Sequence, residues 1–127
     1  MGLDMYLRGT KHFRYESEPK TVDGYRITEQ QVELGYWRKH PNLHGFIVNT
    51  FNCGEDDCNP ITLTVDGIKL IIQAITEGKL PDTQGFFFGK SYGDEKEEDL
   101  RIFNAALAWV QEEDAEAHRF VSYLASW

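Results

Sequence analysis

The sequence contains no long apolar run, and this absence limits where the protein can act. A membrane helix needs about 20 consecutive apolar residues, and no segment of the chain approaches that length. The opening residues Met1-Gly2-Leu3-Asp4 also lack the basic start and apolar block of a secretory signal. We therefore expect a cytoplasmic protein that does not engage a membrane.

Cysteine and basic side chains are both scarce. The chain has two cysteines, Cys53 and Cys58, and in the cytoplasm such a pair is more often reduced than bridged. Its 13 Lys and Arg residues stand against 21 Asp and Glu residues, which gives a net charge of −8. A chain with this charge repels nucleic acid phosphates, so direct nucleic acid binding is not expected.

The remaining composition is that of a folded globular protein. Of the 127 residues, 41% are hydrophobic and 13% are aromatic. A chain of this length supports one hydrophobic core, because two cores would each be too small to be stable. We predict a single domain that spans residues 1–127.

Two-residue apolar periodicity marks strands at both ends of the chain. The opening stretch GLDMYLRG and the tail HRFVSYLASW both alternate apolar and polar side chains. We predict that these two strands pair in the middle of a sheet. Residues 9–26 carry Gly, Pro and mixed charge without a clear period, which predicts an exposed loop or an irregular hairpin.

A further strand is indicated by the stretch QVELGYW. Its alternation puts Val32, Leu34 and Tyr36 on one face. The surrounding residues TEQQVELGYWRKH are also compatible with a short helix. Both interpretations of this stretch, strand and helix, are kept here.

Three segments predict helices from their N-terminal residues and apolar spacing. The first begins at Pro41 and extends to about residue 52. The second follows a short β-branched run and has Thr64 as its N-cap. The third begins where Asp94 and Glu97 have the spacing of a capping box. Together these elements predict an α+β fold, in which about three helices pack on a small, mainly antiparallel sheet.

The stretch GFFFGKS at residues 85–91 has some likeness to a phosphate-binding loop. That motif requires four residues between its glycines, whereas three lie between them here and all three are Phe. The triple Phe is more typical of a buried strand.

Four potential zinc ligands lie close together in the chain, namely His40, His44, Cys53 and Cys58. Because Pro41 places His40 at a helix boundary, its ring need not face the same way as that of His44. The alternative to a zinc site is that His40 caps the helix and that Cys53 and Cys58 are small buried thiols. We expect no metal and no cofactor.

A cysteine nucleophile is a separate possibility. Cys58 has Asp57 beside it and His44 upstream, and a thiol needs a neighbouring base to ionise at neutral pH. A hydrolase built from these residues requires His44 within hydrogen-bond reach of its nucleophile. The sequence contains no complete catalytic motif.

Arg38 and Lys39 form a compact basic pair beside Trp37 and just before the first predicted helix. Cations at a helix N-terminus favour an anionic ligand. The alternative is that the pair forms salt bridges with the acidic segment Glu55–Asp57.

Acidic residues cluster in three places, at residues 55–57, 94–99 and 112–114. Such clusters can present a phosphate-like surface to a nucleic-acid-binding protein. They are also what the solvated face of a helix requires.

Several short blocks occur together in this chain: MGLDMYL at 1–7, YWRK at 36–39, His44, EDDC at 55–58, LPDTQGFFFG at 80–89 and the closing SW. In these blocks the chain resembles a family of short proteins encoded by bacteriophages, prophages and bacteria, for which no activity is established. The resemblance implies a phage or prophage setting and an accessory role, such as interference with a host or rival system. It supplies no catalytic residue.

These observations favour a protein that acts by binding, with a host or defence protein held through an acidic surface. The alternative is a small-molecule site for a nucleotide or another phosphorylated ligand, or a small hydrolase. That site uses the residues between Arg38 and Cys58 together with the polar residues of the first strand. Its candidate ligand-binding residues are Asp4, Tyr6, Trp37, Arg38, Lys39, His44, Asp57 and Cys58.

Overall fold

The computed structural model describes residues 2–85, 89, 91 and 94–127. Within these residues the chain forms three helices, a four-stranded sheet and a separate two-stranded hairpin. In chain order the elements are β1 (Asp4–Phe13), β2 (Thr21–Val22), β3 (Tyr25–Arg26), β4 (Glu29–Arg38), α1 (Pro41–Phe51), β5 (Ile61–Leu63), α2 (Val65–Thr76), α3 (Lys96–Gln111) and β6 (Ala117–Ser126).

The larger sheet has the strand order β4-β1-β6-β5, and each neighbouring pair is antiparallel. β1 lies between β4 and β6, and its register with β6 runs from Asp4 opposite Ser126 to Phe13 opposite Ala117. The α+β prediction and the pairing of the two terminal strands in the middle of the sheet are therefore confirmed.

β1 extends further than its sequence predicts. Residues 9–13 were expected in a loop, but they continue the strand to Phe13. Their backbone groups are paired on both sides, by β4 and by β6, and this central position outweighs the low strand preference of Gly9. Only residues after Phe13 form the irregular segment, in which Asp23 and Gly24 make the tight turn between β2 and β3.

β4 is a strand, and the helical alternative is wrong. A bulge shifts its register against β1, so that Leu7 lies opposite Gly35 and Arg8 lies opposite Glu33. Because one extra residue reverses the direction of every side chain beyond it, Tyr36 points away from the core. The prediction that Tyr36 shares a face with Val32 and Leu34 is therefore wrong, and Trp37 takes the buried position instead.

The three helices begin close to their predicted positions. Pro41 occupies the first turn of α1. The Thr64 hydroxyl accepts a hydrogen bond from the Gly67 backbone N–H at 3.0 Å, which confirms the predicted N-cap of α2. α3 is different, because its N-cap is Glu95 and makes no side-chain cap bond, so the predicted capping box at Asp94 is wrong.

All three helices pack on one face of the four-stranded sheet. We call this the inner face, and its side chains form the core with the buried stripes of the helices. We call the opposite side the outer face, and none of the described helices covers it. The largest fully buried side chains include Tyr123, Phe103, Leu3, Met5, Leu7, Leu43 and Ile47.

The buried strand expected at the triple Phe, residues 86–88, lies outside the residues that the structure describes. Among the described residues, no helix combines the length and apolar character needed to cross a bilayer.

Candidate functional site

The turn between β4 and α1 directs the His40 side chain into the protein interior. Lys39 adopts a positive φ of 57°, which is uncommon for a residue with a side chain, and its backbone N–H donates to the Leu3 carbonyl at 2.8 Å. This sharp turn is followed at once by His40, the N-cap of α1, which is 4% exposed. The turn therefore fixes the direction of the His40 ring.

The His40 ring is held between a hydroxyl and a carboxylate. Its Nδ1 lies 2.7 Å from Ser91 Oγ, and its Nε2 lies 2.7 Å from Asp99 Oδ2. The other carboxylate oxygen of Asp99 accepts a 2.7 Å hydrogen bond from Trp37 Nε1. We call these four residues, Trp37, His40, Ser91 and Asp99, the His40 network.

Hydrogen bonding indicates which nitrogen of His40 carries the proton. Asp99 is 1% exposed, and the indole of Trp37 can only donate to it. The backbone N–H of Asn42 donates to Ser91 Oγ at 3.1 Å. All partners are satisfied when His40 Nε2–H donates to Asp99 and the Ser91 hydroxyl donates to Nδ1. This order, hydroxyl to imidazole to carboxylate, is that of an activated nucleophile.

Ser91 lies where two cavities meet. One has a volume of about 200 Å³ and is lined by His40, Ser91 and Asp99 of the network, with apolar walls from Ile75 and Leu80. The other, of about 550 Å³, is more polar and is lined by Pro41, Asn42, Asp82, Thr83, Gln84, Gly85, Gly89 and Ser91. Ser91 is therefore part of the wall of both cavities.

Two described residues before Ser91, Thr83 and Gly89, lie against the start of α1 and the turn that precedes it. Thr83 N–H donates to Asn42 Oδ1 at 3.0 Å, and Thr83 packs on Gly45, where a side chain would collide with it. Gly89 adopts a φ of 74°, and a Cβ there would lie 2.7 Å from Lys39 Cβ. Both contacts therefore require glycine, at Gly45 and at Gly89.

His44 belongs to a second buried network, one turn further along α1. Its Nδ1 lies 2.6 Å from the Tyr123 hydroxyl and its Nε2 lies 2.9 Å from Asp56 Oδ1. Burial raises the pKa of Tyr123 far above its ordinary value, and Asp56 raises it further, so the hydroxyl keeps its proton. The adjoining cavity holds about 10 Å³, which is room for one water at most.

The eight candidate residues from the sequence do not all line one pocket, although His44, Asp57 and Cys58 border the small cavity beside Tyr123. Asp4, Tyr6 and Arg38 point to the outer face, where Tyr36 donates to Asp4 at 2.7 Å. Trp37 and His44 are buried on the inner side. Lys39, Asp57 and Cys58 are exposed in the turns that flank α1. Strand alternation is one cause, because Trp37 points to the opposite face from its neighbours Tyr36 and Arg38.

The prediction of a salt bridge with residues 55–57 is wrong for Arg38. Its Nε lies 3.9 Å from Asp4 Oδ1 on the neighbouring strand. Asp56 pairs with His44, and the Asn59 backbone N–H donates to Asp57 and lowers the pKa of that carboxyl. The two segments therefore have separate partners.

A hydrolase based on Cys58 does not fit this geometry. Both ring nitrogens of His44 are engaged by Tyr123 and Asp56, so the required base has other partners. Cys53 and Cys58 are free thiols and both are exposed, which contradicts the alternative of buried thiols.

Among the described residues, no group of three or more His, Cys, Asp and Glu side chains converges as metal ligands do. His40 and His44 face different networks on α1.

The three acidic clusters are partly neutralised within the protein. Asp99 is buried, Glu98 pairs with Arg101, and Asp114 pairs with Arg119 at 3.0 Å. These carboxylates contribute less to an attractive surface than the sequence suggests.

Comparisons with protein-family models, curated proteins and solved structures return no match to this chain.

Ser91 and Asp99 were missed as functional residues from the sequence, and His40 was considered only as a cap or a metal ligand. For Asp99 the sequence does contain a signal. It lies three and four positions before Ile102 and Phe103, so it shares the buried stripe of α3. A carboxylate at such a position requires a buried partner. No comparable signal distinguishes Ser91.

Proposed function

We propose that the protein is a small hydrolase that cleaves esters of short acyl groups, with Ser91 as its nucleophile. The observation that carries this proposal is the order of Ser91, His40 and Asp99, at successive distances of 2.7 Å, at the junction of two cavities. Recognition of such a site rests on geometry and roles, not on position in the sequence.

In this mechanism His40 acts as the general base. Ser91 Oγ forms a bond to the ester carbonyl carbon while its proton passes to His40 Nδ1. His40 then gives this proton to the departing alkoxide, which leaves an acyl group on Ser91. A water molecule attacks the acyl carbon, again with His40 as base, and the carboxylic acid departs as Ser91 recovers its proton.

Asp99 and the start of α1 assist without changing covalently. Asp99 holds the imidazole in the required tautomer and stabilises its charged form, and the Trp37 indole in turn fixes the Asp99 carboxylate. The Asn42 backbone N–H at the N-terminus of α1 points at Ser91 Oγ. The helix dipole there favours the negative charge that develops on the nucleophile.

The two cavities suggest the substrate class. The cavity of about 200 Å³ carries Ile75 and Leu80 and accommodates a short apolar acyl group. The polar cavity of about 550 Å³ accommodates the leaving alcohol. Ser91 lies between them, where the ester bond must be placed.

The proposal is tested with p-nitrophenyl acetate and butyrate, and with a fluorophosphonate probe followed by intact mass and peptide mapping. We expect the wild-type protein to be labelled at Ser91. We expect Ser91→Ala to lower kcat/KM by about 100-fold or more, in keeping with the contribution of a positioned base and nucleophile.

The matched control is Ser122→Ala. Ser122 lies on the outer face, opposite Arg8 in the β1–β6 register, and is remote from the His40 network. Its loss should change neither the rate nor the labelling. If Ser91→Ala hydrolyses both esters as fast as wild type and the probe does not label Ser91, the proposal is refuted.

A second candidate function is the binding of a basic host or defence protein. It is supported by the net charge of −8 and by exposed carboxylates at and before the first turn of α3, namely Asp94, Glu97 and Glu98. The phage or prophage setting implied by the sequence resemblance stays a prediction. Charge reversal at these three positions should abolish capture of a partner from bacterial lysate and leave ester hydrolysis unchanged. Equal capture by the reversed variant would contradict this candidate.

A further inference from the structure

We propose that the outer face of the sheet is the interface of a homodimer, in which two copies pack sheet against sheet. This inference is independent of the proposed hydrolase. It follows from the exposure, the arrangement and the charge of the outward side chains.

The outer face is open to solvent. Outward positions of β1, β4, β5 and β6 alternate with the core positions, and their side chains are exposed or half-buried except for Thr10. The Tyr36 side chain, for example, is 45% exposed. Antiparallel sheets do leave one face to water, but that face is then mainly polar.

The face has the arrangement of an interface. Its middle carries Tyr6, Phe120 and Leu124, with the Arg8 guanidinium 5.4 Å from the centre of the Tyr6 ring. Charged and polar side chains lie around them. They include Asp4, His12, Glu29, Glu33, Arg38 and His118. An apolar centre with aromatic and Arg residues inside a polar rim is typical of protein interfaces.

Charge distinguishes this face from the rest of the molecule and favours a second copy as its partner. Three outward carboxylates, Asp4, Glu29 and Glu33, stand against the guanidinium groups of Arg8 and Arg38, which leaves −1 on the face. The whole chain carries −8. Like-charge repulsion between two copies is therefore smaller at this face than the net charge of the whole chain suggests. Both signs are present, so each face also offers the other opposite charges across a two-fold axis.

The area is sufficient for a dimer of modest affinity. β1, β4 and β6 each contain 10 residues, so they extend about 33 Å and together span about 14 Å, or about 460 Å² per copy. Two such faces together bury about 920 Å², which is the size of a weak or transient interface. Sheets packed in this way lie about 10 Å apart.

Sedimentation velocity of the full chain from about 1 to 100 μM, a range that brackets weak interfaces of this size, tests the proposal. We expect a concentration-dependent shift from monomer to dimer. Leu124→Glu places two like charges near the axis and should shift the midpoint at least tenfold. The control is Leu70→Glu on α2, which alters a leucine that is 49% exposed away from this face and should leave the midpoint unchanged.

Ser122→Arg is the second variant, because it adds charge to the same face without removing an apolar contact and covers the case in which Leu124→Glu does not fold. A wild-type protein that stays monomeric at all these concentrations overturns the proposal. So does a dimer whose midpoint is unchanged in both Leu124→Glu and Ser122→Arg.

Discussion

Replacing Asp99 by Asn is a sharp test of the His40 network, because the change removes a charge and keeps the shape. The Asp99 carboxylate accepts from Trp37 Nε1 and from His40 Nε2, both at 2.7 Å, and is 1% exposed. The indole only donates, so the amide oxygen of Asn must stay beside Trp37. The amide NH₂ then faces His40 Nε2.

This exchange forces His40 to change its tautomer. With an NH₂ donor facing it, Nε2 must become the acceptor and the proton must move to Nδ1, which then donates to Ser91. Two hydrogen bonds to a carboxylate, each worth about 1.5–3 kcal/mol, are replaced by neutral bonds of about 0.5–1.5 kcal/mol. We expect the free energy of unfolding to fall by about 1–3 kcal/mol. Ser91 also loses its base, so ester hydrolysis should fall by about 10³–10⁴-fold.

Two measurements check this prediction. Urea unfolding followed by Trp fluorescence gives the change in stability, and long-range ¹H–¹⁵N NMR of the imidazole reports which nitrogen is protonated. If Asp99→Asn unfolds at the wild-type urea concentration and His40 keeps its proton on Nε2, the assigned hydrogen-bond order is wrong. Leu70→Glu is the control variant, because it changes an exposed leucine and leaves the His40 network intact.

The remaining predictions concern the surroundings of the network and the closure of the fold. Gly45→Ala brings a Cβ within 2.8 Å of Thr83 Cβ, so it should lower stability by about 1–3 kcal/mol and slow ester hydrolysis, as measured by urea unfolding and rate assays. The hydrogen bond from Arg119 holds the pKa of Asp114 below its ordinary 3.8. The ion pair of Asp114 with Arg119 therefore stabilises the fold above pH 3.8, and this stabilisation is lost as the pH falls through the lowered pKa. Asp114→Asn should therefore lower stability at pH 7 and flatten its dependence on pH below about 4, which acid titration followed by circular dichroism will measure. Tyr123→Phe removes a buried hydroxyl from its hydrogen bond with a ring nitrogen, and should cost about 1–2 kcal/mol by the same urea assay without altering hydrolysis.

Local patterns were sufficient to predict the architecture of the fold. The apolar alternation at both ends of the chain gives two strands with one buried face, and the Thr64 cap marks α2 because a hydroxyl satisfies a free N–H at a helix start. The errors come from long-range effects. The bulge in β4 depends on its pairing with β1, and the length of β1 depends on partners on both sides.

The candidate site was harder to predict, because it joins residues from separate parts of the chain. His40, Ser91 and Asp99 come together only when α3 and the segment before it pack against the start of α1. Sequence proximity suggested instead a site between Arg38 and Cys58, but neighbouring residues in a strand point to opposite faces. The acidic run that contains Asp99 looked like a solvated surface, although the position of Asp99 on the buried stripe identifies it as different.

The central place of β1 has a consequence for how the protein is made. β1 is synthesised long before its partner β6, which occupies residues 117–126, so Asp4 cannot pair with Ser126 until the residues between them have left the ribosome. Contacts of such sequence separation slow folding, because a long loop must close before they form. Until then the apolar side of β1 stays available to other chains. The nascent protein therefore depends on β4, which emerges much earlier, to shield one edge of that strand during synthesis.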